Sequence, residues 1–104
     1  MIGATNYERN NMEAISLERA NLVGDEGAVL ALKNIGTETT HISWYSVNGR
    51  PEQGRSSPVT IRPREVENLT ITIHGQGYKF EKGKEYEFRV KTHKQNEFIF
   101  KIVL

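Results

Sequence analysis

The stretch KGKEYEFRVKTHKQNEFIFKIVL, residues 82–104, contains two segments in which apolar side chains recur at every second position. Tyr86, Phe88 and Val90 share one face of the first segment, and EFIFKIVL (97–104) follows after the polar residues HKQN. A period of two places successive side chains on opposite faces of a strand. The stretch therefore predicts two antiparallel strands joined by a short turn.

Tyr86 stands near the start of the first of these strands, two residues before the apolar position Phe88. In immunoglobulin-like sandwiches, a tyrosine at this point of the sixth strand packs its ring on the core. Its hydroxyl forms a hydrogen bond with backbone a few residues upstream, an arrangement known as the tyrosine corner. We expect Tyr86 to form such a corner.

Five further apolar segments precede this pair, with turn signals between them. They are AISLERANLV (14–23), AVLALKN (28–34), HISWYSV (41–47), VTI (59–61) and VENLTITI (66–73). Seven strands in about 90 residues predict an all-β fold, an immunoglobulin-like two-sheet β-sandwich of about seven antiparallel strands with Greek-key connections.

Individual segments predict finer details. The apolar phase of AISLERANLV slips near Arg19, which predicts a β-bulge. Both faces of AVLALKN are apolar, as expected of a central strand. In HISWYSV, Ile42 and Trp44 share the face that we expect in the core, and Tyr45 lies on the opposite face. Asn48-Gly49 predicts the turn that closes this strand, because both residues tolerate positive φ.

Length and charge limit the classes of protein. The 104 residues predict one domain, with a flexible polar lead-in over residues 1–12 and a single sandwich over 13–104. Lys plus Arg number 14 and Asp plus Glu 13. We expect no nucleic-acid partner, since a net charge of +1 creates little general attraction to phosphate. The chain has no cysteine, so packing must stabilise it without disulfides.

No motif for catalysis stands out. His41, His74 and His93 have none of the short spacings typical of metal ligands, and no serine lies in a nucleophile-elbow pattern. We therefore expect a protein that is not an enzyme, with no catalytic, cofactor-binding or metal-binding residues.

The last segment is apolar on both faces. Phe98 and Phe100 can fill the core, while Ile99 and Val103 flank Lys101 on the other side. A bare apolar strand is prone to association. Ile99 and Val103, with the outward-facing Tyr45, form the candidate subunit interface; the alternative is that loops of the same chain cover this face.

Asn68-Leu69-Thr70 is an N-x-Thr acceptor sequence. Asn68 is therefore a candidate glycosylation site if the domain is extracytoplasmic.

Several short motifs carry a family resemblance. They are Lys33-Asn34-Ile35-Gly36 at a strand end, Val47-Asn48-Gly49, the I-x-P-x-E segment at 61–65, and Gly-x-x-Tyr at 83–86. With their flanking strands, residues 14–104 resemble the globular part of archaeal type IV pilin-like surface proteins. That group includes filament pilins and the archaellum accessory subunits of the stator, of the F or G type.

The resemblance implies a non-enzymatic domain of an archaeal cell-surface filament machine that anchors the filament. It implies a location in the archaeal pseudo-periplasm, with a membrane anchor only through an N-terminal hydrophobic helix upstream of these residues. The implied partners are a second copy (a homodimer), related filament or stator subunits in a hetero-oligomer, and the S-layer glycoprotein.

A second hypothesis remains open. The chain could be a carbohydrate-binding or adhesion β-sandwich module of a larger secreted protein. Sugars stack on exposed aromatic rings, and Tyr45, Tyr78 and Phe80 are the candidates for such a platform.

Overall fold

The computed structural model describes residues 12–49, 55–72 and 79–104 of the chain. They contain seven β-strands: β1 (Ile15–Val23), β2 (Gly27–Asn34), β3 (Thr40–Val47), β4 (Arg55–Ile61), β5 (Val66–Thr72), β6 (Glu85–Thr92) and β7 (Glu97–Val103). One sheet has the order β1-β2-β5 and the other β4-β3-β6-β7. All neighbouring strands are antiparallel. The predicted all-β two-sheet sandwich is confirmed.

The core lies between the two sheets. The inner faces of β2, β3, β4, β5 and β6 supply its fully buried apolar side chains, which are Ala28, Leu30, Leu32, Ile42, Val47, Ile61, Leu69, Ile71, Phe88 and Val90. Strand β2 is central in its sheet, as its two apolar faces predict. Strand β4 lies beside β3 and not beside β5, so it belongs to the sheet of β3, β6 and β7, whereas the constant-type immunoglobulin arrangement has its fourth strand in the other sheet.

Two β-bulges interrupt the pairing of the strands. One lies between Leu17 and Arg19 of β1, which confirms the bulge predicted from the slip in apolar phase. The other lies between Ile42 and Trp44 of β3, where the pairing with both β4 and β6 shifts. An extra residue in a strand reverses the face on which every later side chain lies.

The β3 bulge overturns two predictions. Tyr45 lies in the core with 3% of its surface exposed, so its prediction as an outward-facing interface residue is wrong. Trp44 lies half-buried on the outer face, and the Lys91 Nζ is 5.4 Å from the centroid of its ring. The Tyr45 hydroxyl accepts from the Thr72 N–H and donates to the Thr72 carbonyl, both at 3.2 Å. This residue therefore joins the two sheets.

The tyrosine corner is confirmed. The Glu81 N–H donates to the Tyr86 hydroxyl at 2.6 Å, five residues upstream. The Tyr86 ring is 4% exposed and packs edge-on against Phe80, with 5.0 Å between the ring centroids.

Replacing Tyr86 by phenylalanine is expected to lower the free energy of unfolding by about 1 kcal/mol. The ring would keep its packing, but the Glu81 N–H would lose its acceptor. Chemical denaturation of the two proteins measures the difference. An unchanged midpoint would show that the hydroxyl contributes nothing. Thr70→Val, which removes a hydroxyl from an exposed residue of β5, serves as the control expected to leave the midpoint unchanged.

The connection between β3 and β4 begins as predicted, but it ends earlier in the chain than predicted. Asn48 and Gly49 have φ angles of 51° and 76°, which confirms the predicted turn. Strand β4 starts at Arg55, earlier than VTI, and contains Pro58. An edge strand tolerates proline because one side of its backbone needs no donor. Residues 50–54 lie outside the described parts of the chain.

Candidate subunit interface

Strand β7 is an edge strand, and its register decides which backbone groups face outward. The Thr92 N–H donates to the Asn96 carbonyl at 3.0 Å, and the Leu104 N–H donates to the Lys84 carbonyl at 3.1 Å. Because bonded positions alternate in an antiparallel pair, the even-numbered residues of β7 bond to β6. The backbone N–H and C=O groups of the odd-numbered residues point to the free edge. These residues are Glu97, Ile99, Lys101 and Val103.

The side chains of the same odd-numbered residues lie on the outer face of the sheet. Ile99 is 49% exposed and Val103 is 64% exposed, so the prediction that both face away from the core is confirmed. The inner face of β7 is only half-buried, although it packs on the core; its residues are Phe98, Phe100 and Ile102. The structure thus places Ile99 and Val103 on the same outer face of the edge strand, with Lys101 between them, and Tyr45 apart from them in the core.

Charged side chains flank this edge. The Glu97 carboxylate lies 3.3 Å from the Arg89 guanidinium and 3.5 Å from the Lys91 ammonium. Arg89 also contacts the Glu87 carboxylate at 3.4 Å. Such partly exposed pairs contribute little to stability, about 0–1 kcal/mol each. The contacts with Arg89 and Lys91 nevertheless fix the position of the Glu97 carboxylate at the start of β7.

Residues 12–14 are held against residues 35–37, and we call this contact the N-terminal clamp. The Ile35 N–H donates to the Ala14 carbonyl at 2.9 Å, and the Thr37 N–H donates to the Met12 carbonyl at 3.1 Å. A Cβ atom on Gly36 would overlap the Met12 carbonyl oxygen. Only glycine therefore allows the two segments to approach so closely. Of the predicted lead-in, residues 1–11 lie outside the described residues, and Met12 belongs to the clamp.

Glu13 extends the clamp to the second sheet. Its side chain is 8% exposed, and Oε1 accepts from the Thr92 hydroxyl at 2.6 Å and from the Asn96 amide at 2.8 Å. Nearby, a hydrogen bond to the Glu38 carboxylate raises the pKa of Lys94. A similar bond to Glu81 raises the pKa of Lys84. Both lysines stay protonated at neutral pH.

Asn34 connects three segments from inside the fold. It is fully buried, and its Nδ2 donates to the carbonyls of Glu38 at 2.7 Å and Ile61 at 2.8 Å. Its Oδ1 accepts from the Gly36 N–H at 2.8 Å. The Asn34 backbone also bonds to residues 64 and 65 of the I-x-P-x-E segment. Two motifs of the family resemblance therefore meet at this side chain.

Two of the three histidines come together, although 52 positions separate them in the chain. The His41 and His93 rings lie 5.6 Å apart, and the His41 Nδ1 is 3.0 Å from the Thr60 hydroxyl. His74 lies outside the described residues. A shallow groove of ≈ 510 Å³ beside His93 is lined by Ser43, Trp44, Lys91, Thr92 and Gln95. Two of its lining residues, Ser43 and Trp44, lie at the β3 bulge, which alternation alone did not reveal.

A metal site, a membrane helix and a sugar platform each place requirements on the described residues. Among residues 12–49, 55–72 and 79–104, no three His, Asp or Glu side chains are grouped so that they could hold a metal ion. No helix in the same ranges is long and apolar enough to cross a membrane. Phe80, one of the aromatic residues considered for a sugar platform, is 3% exposed, as is Tyr45. Tyr78 lies outside the described residues.

The sequence matches no protein-family model and no curated protein. Solved structures do share its fold. The archaellum periplasmic stator protein FlaG from Sulfolobus acidocaldarius superposes with a TM-score of 0.60 and 14% sequence identity. The superposition covers 88% of this chain and 100% of the FlaG chain. The stator protein complex of FlaF and FlaG from the same organism contains a similar chain. It has a TM-score of 0.56 and 15% identity, over 85% of this chain and 87% of that chain. At such identities, the likeness establishes the β-sandwich.

Proposed function

We propose that this chain is a non-enzymatic structural domain of an archaeal cell-surface filament machine and that it works as an archaellum stator component. One observation carries the proposal: the fold extends over the whole length of FlaG, described as a periplasmic stator protein. The motif resemblance leads to the same group of proteins independently of the superposition. Within that group, a stator subunit is favoured over a filament pilin because both similar structures are stator proteins.

The proposed partners are related stator subunits, which bind at the edge and outer face of β7. FlaF and FlaG are described as a complex that contains a chain of this fold, which supports a related stator subunit as the partner. Ile99 and Val103 supply the apolar contact, and the free backbone groups of β7 can extend a sheet into a partner. The S-layer glycoprotein is a second proposed partner, and it rests on the family resemblance.

This function places the domain on the extracytoplasmic side of the membrane, with its anchor in a helix upstream. Residues 13–104 act as the folded unit in the proposal, since Glu13 is buried and bonded to Thr92 and Asn96. Residues 1–12 precede this unit, and Met12 is bonded to Thr37 in the N-terminal clamp. Asn68 is exposed on the edge strand β5, where an oligosaccharyltransferase could reach it, and we propose it as a glycosylation site.

Disrupting the gene in the archaeon that encodes it tests the function. We expect the deletion strain to lose swimming in soft agar, and the wild-type gene to restore it. A gene with Ile99→Lys and Val103→Lys should fail to restore swimming. A gene with Val23→Lys should succeed, because Val23 is an equally exposed apolar residue at the far edge strand β1, with 55% exposure. A deletion strain that swims normally would overturn the proposal.

The carbohydrate-binding alternative has lost part of its support, because Tyr45 and Phe80 are in the core. Trp44 is the outward aromatic residue that remains beside the groove at His93. Since Trp44 is the only tryptophan, its fluorescence reports directly on that surface. A saturable change in fluorescence on titration with S-layer or cell-wall oligosaccharides, weakened in Lys91→Ala, which alters the groove and keeps the tryptophan, would favour the alternative.

A further inference from the structure

The free edge of β7 has a sequence that is complementary to itself. Its outward residues are Glu97, Ile99, Lys101 and Val103, in that order. In an antiparallel pair of two such edges, only residues that present N–H and C=O groups to the edge can form the bonded positions. Odd-numbered residues must therefore face odd-numbered residues, which leaves few symmetric registers.

Charge and size select one of these registers. A two-fold axis at Ile99 sets Glu97 of each copy opposite Lys101 of the other, and sets Ile99 opposite Ile99. An axis at Phe98 would set Glu97 opposite Ile99. An axis at Phe100 would set Ile99 opposite Lys101. An axis at Lys101 would bring two lysines together, and like charges directly opposite are unfavourable.

The register at Ile99 also continues the charge pattern of the neighbouring strands. Within one copy, Lys91 is opposite Glu97 and Glu87 is opposite Lys101. Across four strands of the joined sheet, one row of side chains consists of Lys91 and Glu97 of the first copy, followed by Lys101 and Glu87 of the second copy. The sign of the charge alternates at each step. A second, identical row follows from the symmetry.

The inner face is complementary in the same register. Phe98 of one copy faces Phe100 of the other, and both residues are half-buried in the single chain. Within a copy, Phe98 is opposite Val90 and Phe100 is opposite Phe88. The joined sheet therefore has a continuous apolar row on its inner face, and the two phenylalanines lose further exposed surface.

We propose that two copies of this chain pair edge to edge through β7, antiparallel and with the two-fold axis at Ile99, to form one continuous eight-stranded sheet. The inference rests on the proposed function in one respect, the use of the β7 edge as a subunit interface. Among the described strands, none occupies that edge. The self-complementary charges point to a second copy as the occupant.

A pair of cysteine variants tests the register, because the natural chain has no cysteine. In a bonded antiparallel pair the two Cα atoms are about 5.5 Å apart, which a disulfide can span. Ile99→Cys is therefore expected to form a covalent dimer under mild oxidation. Val103→Cys is the matched control, since the two copies of residue 103 would lie about 27 Å apart along the strands. It should stay monomeric on a non-reducing gel.

Charge-reversal variants give a second test, which leaves Ile99 intact. In a dimer of Lys101→Glu, a carboxylate at position 97 faces a carboxylate at position 101 at both symmetry-related positions. In a dimer of Glu97→Lys, two ammonium groups face each other at the same two positions. Each is expected to weaken self-association by about tenfold in analytical ultracentrifugation. Mixing the two variants restores both opposite-charge pairs, so the mixture should associate at least as tightly as the wild type. Circular dichroism checks that every variant is folded.

The outcomes separate the proposals. A wild-type chain that stays monomeric at about 1 mM, where even a weak pair would form, would overturn the dimer. Equal crosslinking of Ile99→Cys and Val103→Cys, or no recovery in the mixed charge variants, would overturn the register. If sister stator subunits bind the edge while copies of this chain do not, the homodimer fails and the proposed function stands. Loss of swimming in the deletion strain does not depend on either result.

Discussion

Replacing Phe88 by alanine is expected to lower the free energy of unfolding by about 4 kcal/mol, a large part of the stability of a domain of this size. Phe88 is fully buried on β6, between Val47 of β3 and Phe100 of β7. Its ring lies 5.9 Å from that of Phe80 and 6.4 Å from that of Tyr86. Truncation leaves a cavity beneath the tyrosine corner that rigid strands cannot fill.

Urea denaturation followed by Trp44 fluorescence measures this loss. Phe88→Leu is the matched control, because it keeps most of the volume and is expected to cost about 1.5 kcal/mol. If both variants lost the same small amount, the ring would not be part of a close-packed core.

Replacing Asn34 by alanine is expected to cost about 3 kcal/mol, although the side chain is polar. The substitution leaves the carbonyls of Glu38 and Ile61 and the Gly36 N–H without their partners. A buried polar group that loses its hydrogen bond costs about 1–3 kcal/mol. The midpoint of thermal unfolding should fall by roughly 15 °C.

Asn21→Ala is the control for this variant, because Asn21 is exposed on β1. It should change the free energy of unfolding by no more than about 0.5 kcal/mol. A loss below 1 kcal/mol for Asn34→Ala, about the size of one net hydrogen bond, would mean that water replaces its contacts. The Asn34 network would then not be a structural requirement.

Much of the fold was predictable from the sequence because alternation is a direct consequence of strand geometry. All seven segments became strands, and the phase slip near Arg19 became a bulge. The tyrosine corner was predictable since it depends on local spacing alone. The β3 bulge was missed, although Val47 is out of phase with Ile42 and Trp44, because Ile42 and Trp44 alone suggested one continuous inner face. Trp44 and Tyr45 consequently exchanged faces.

The candidate site was predictable only in part. The exposure of Ile99 and Val103 followed from the two apolar faces of the last segment. The direction of the backbone groups of β7 depends on its register with β6, which the sequence does not specify. Asn34 and Gly36 stood out as parts of a motif, but their contacts join segments far apart in the chain. Distant partners of this kind, like the meeting of His41 and His93, require the folded structure.

The N-terminal clamp determines how mechanical tension would enter the sandwich. A pull along β1 from the N-terminal side would act on the bonds of Met12 and Ala14 to residues 35–37 in shear, so that they share the force. Through Glu13, part of the force would pass to Thr92 and Asn96 in the other sheet. Asn96 directly precedes β7, and resistance to forced unfolding is set by the unfolding rate of the strands that bear the force. A domain clamped in this way would transmit tension from its N-terminal side to its edge strand without first peeling open.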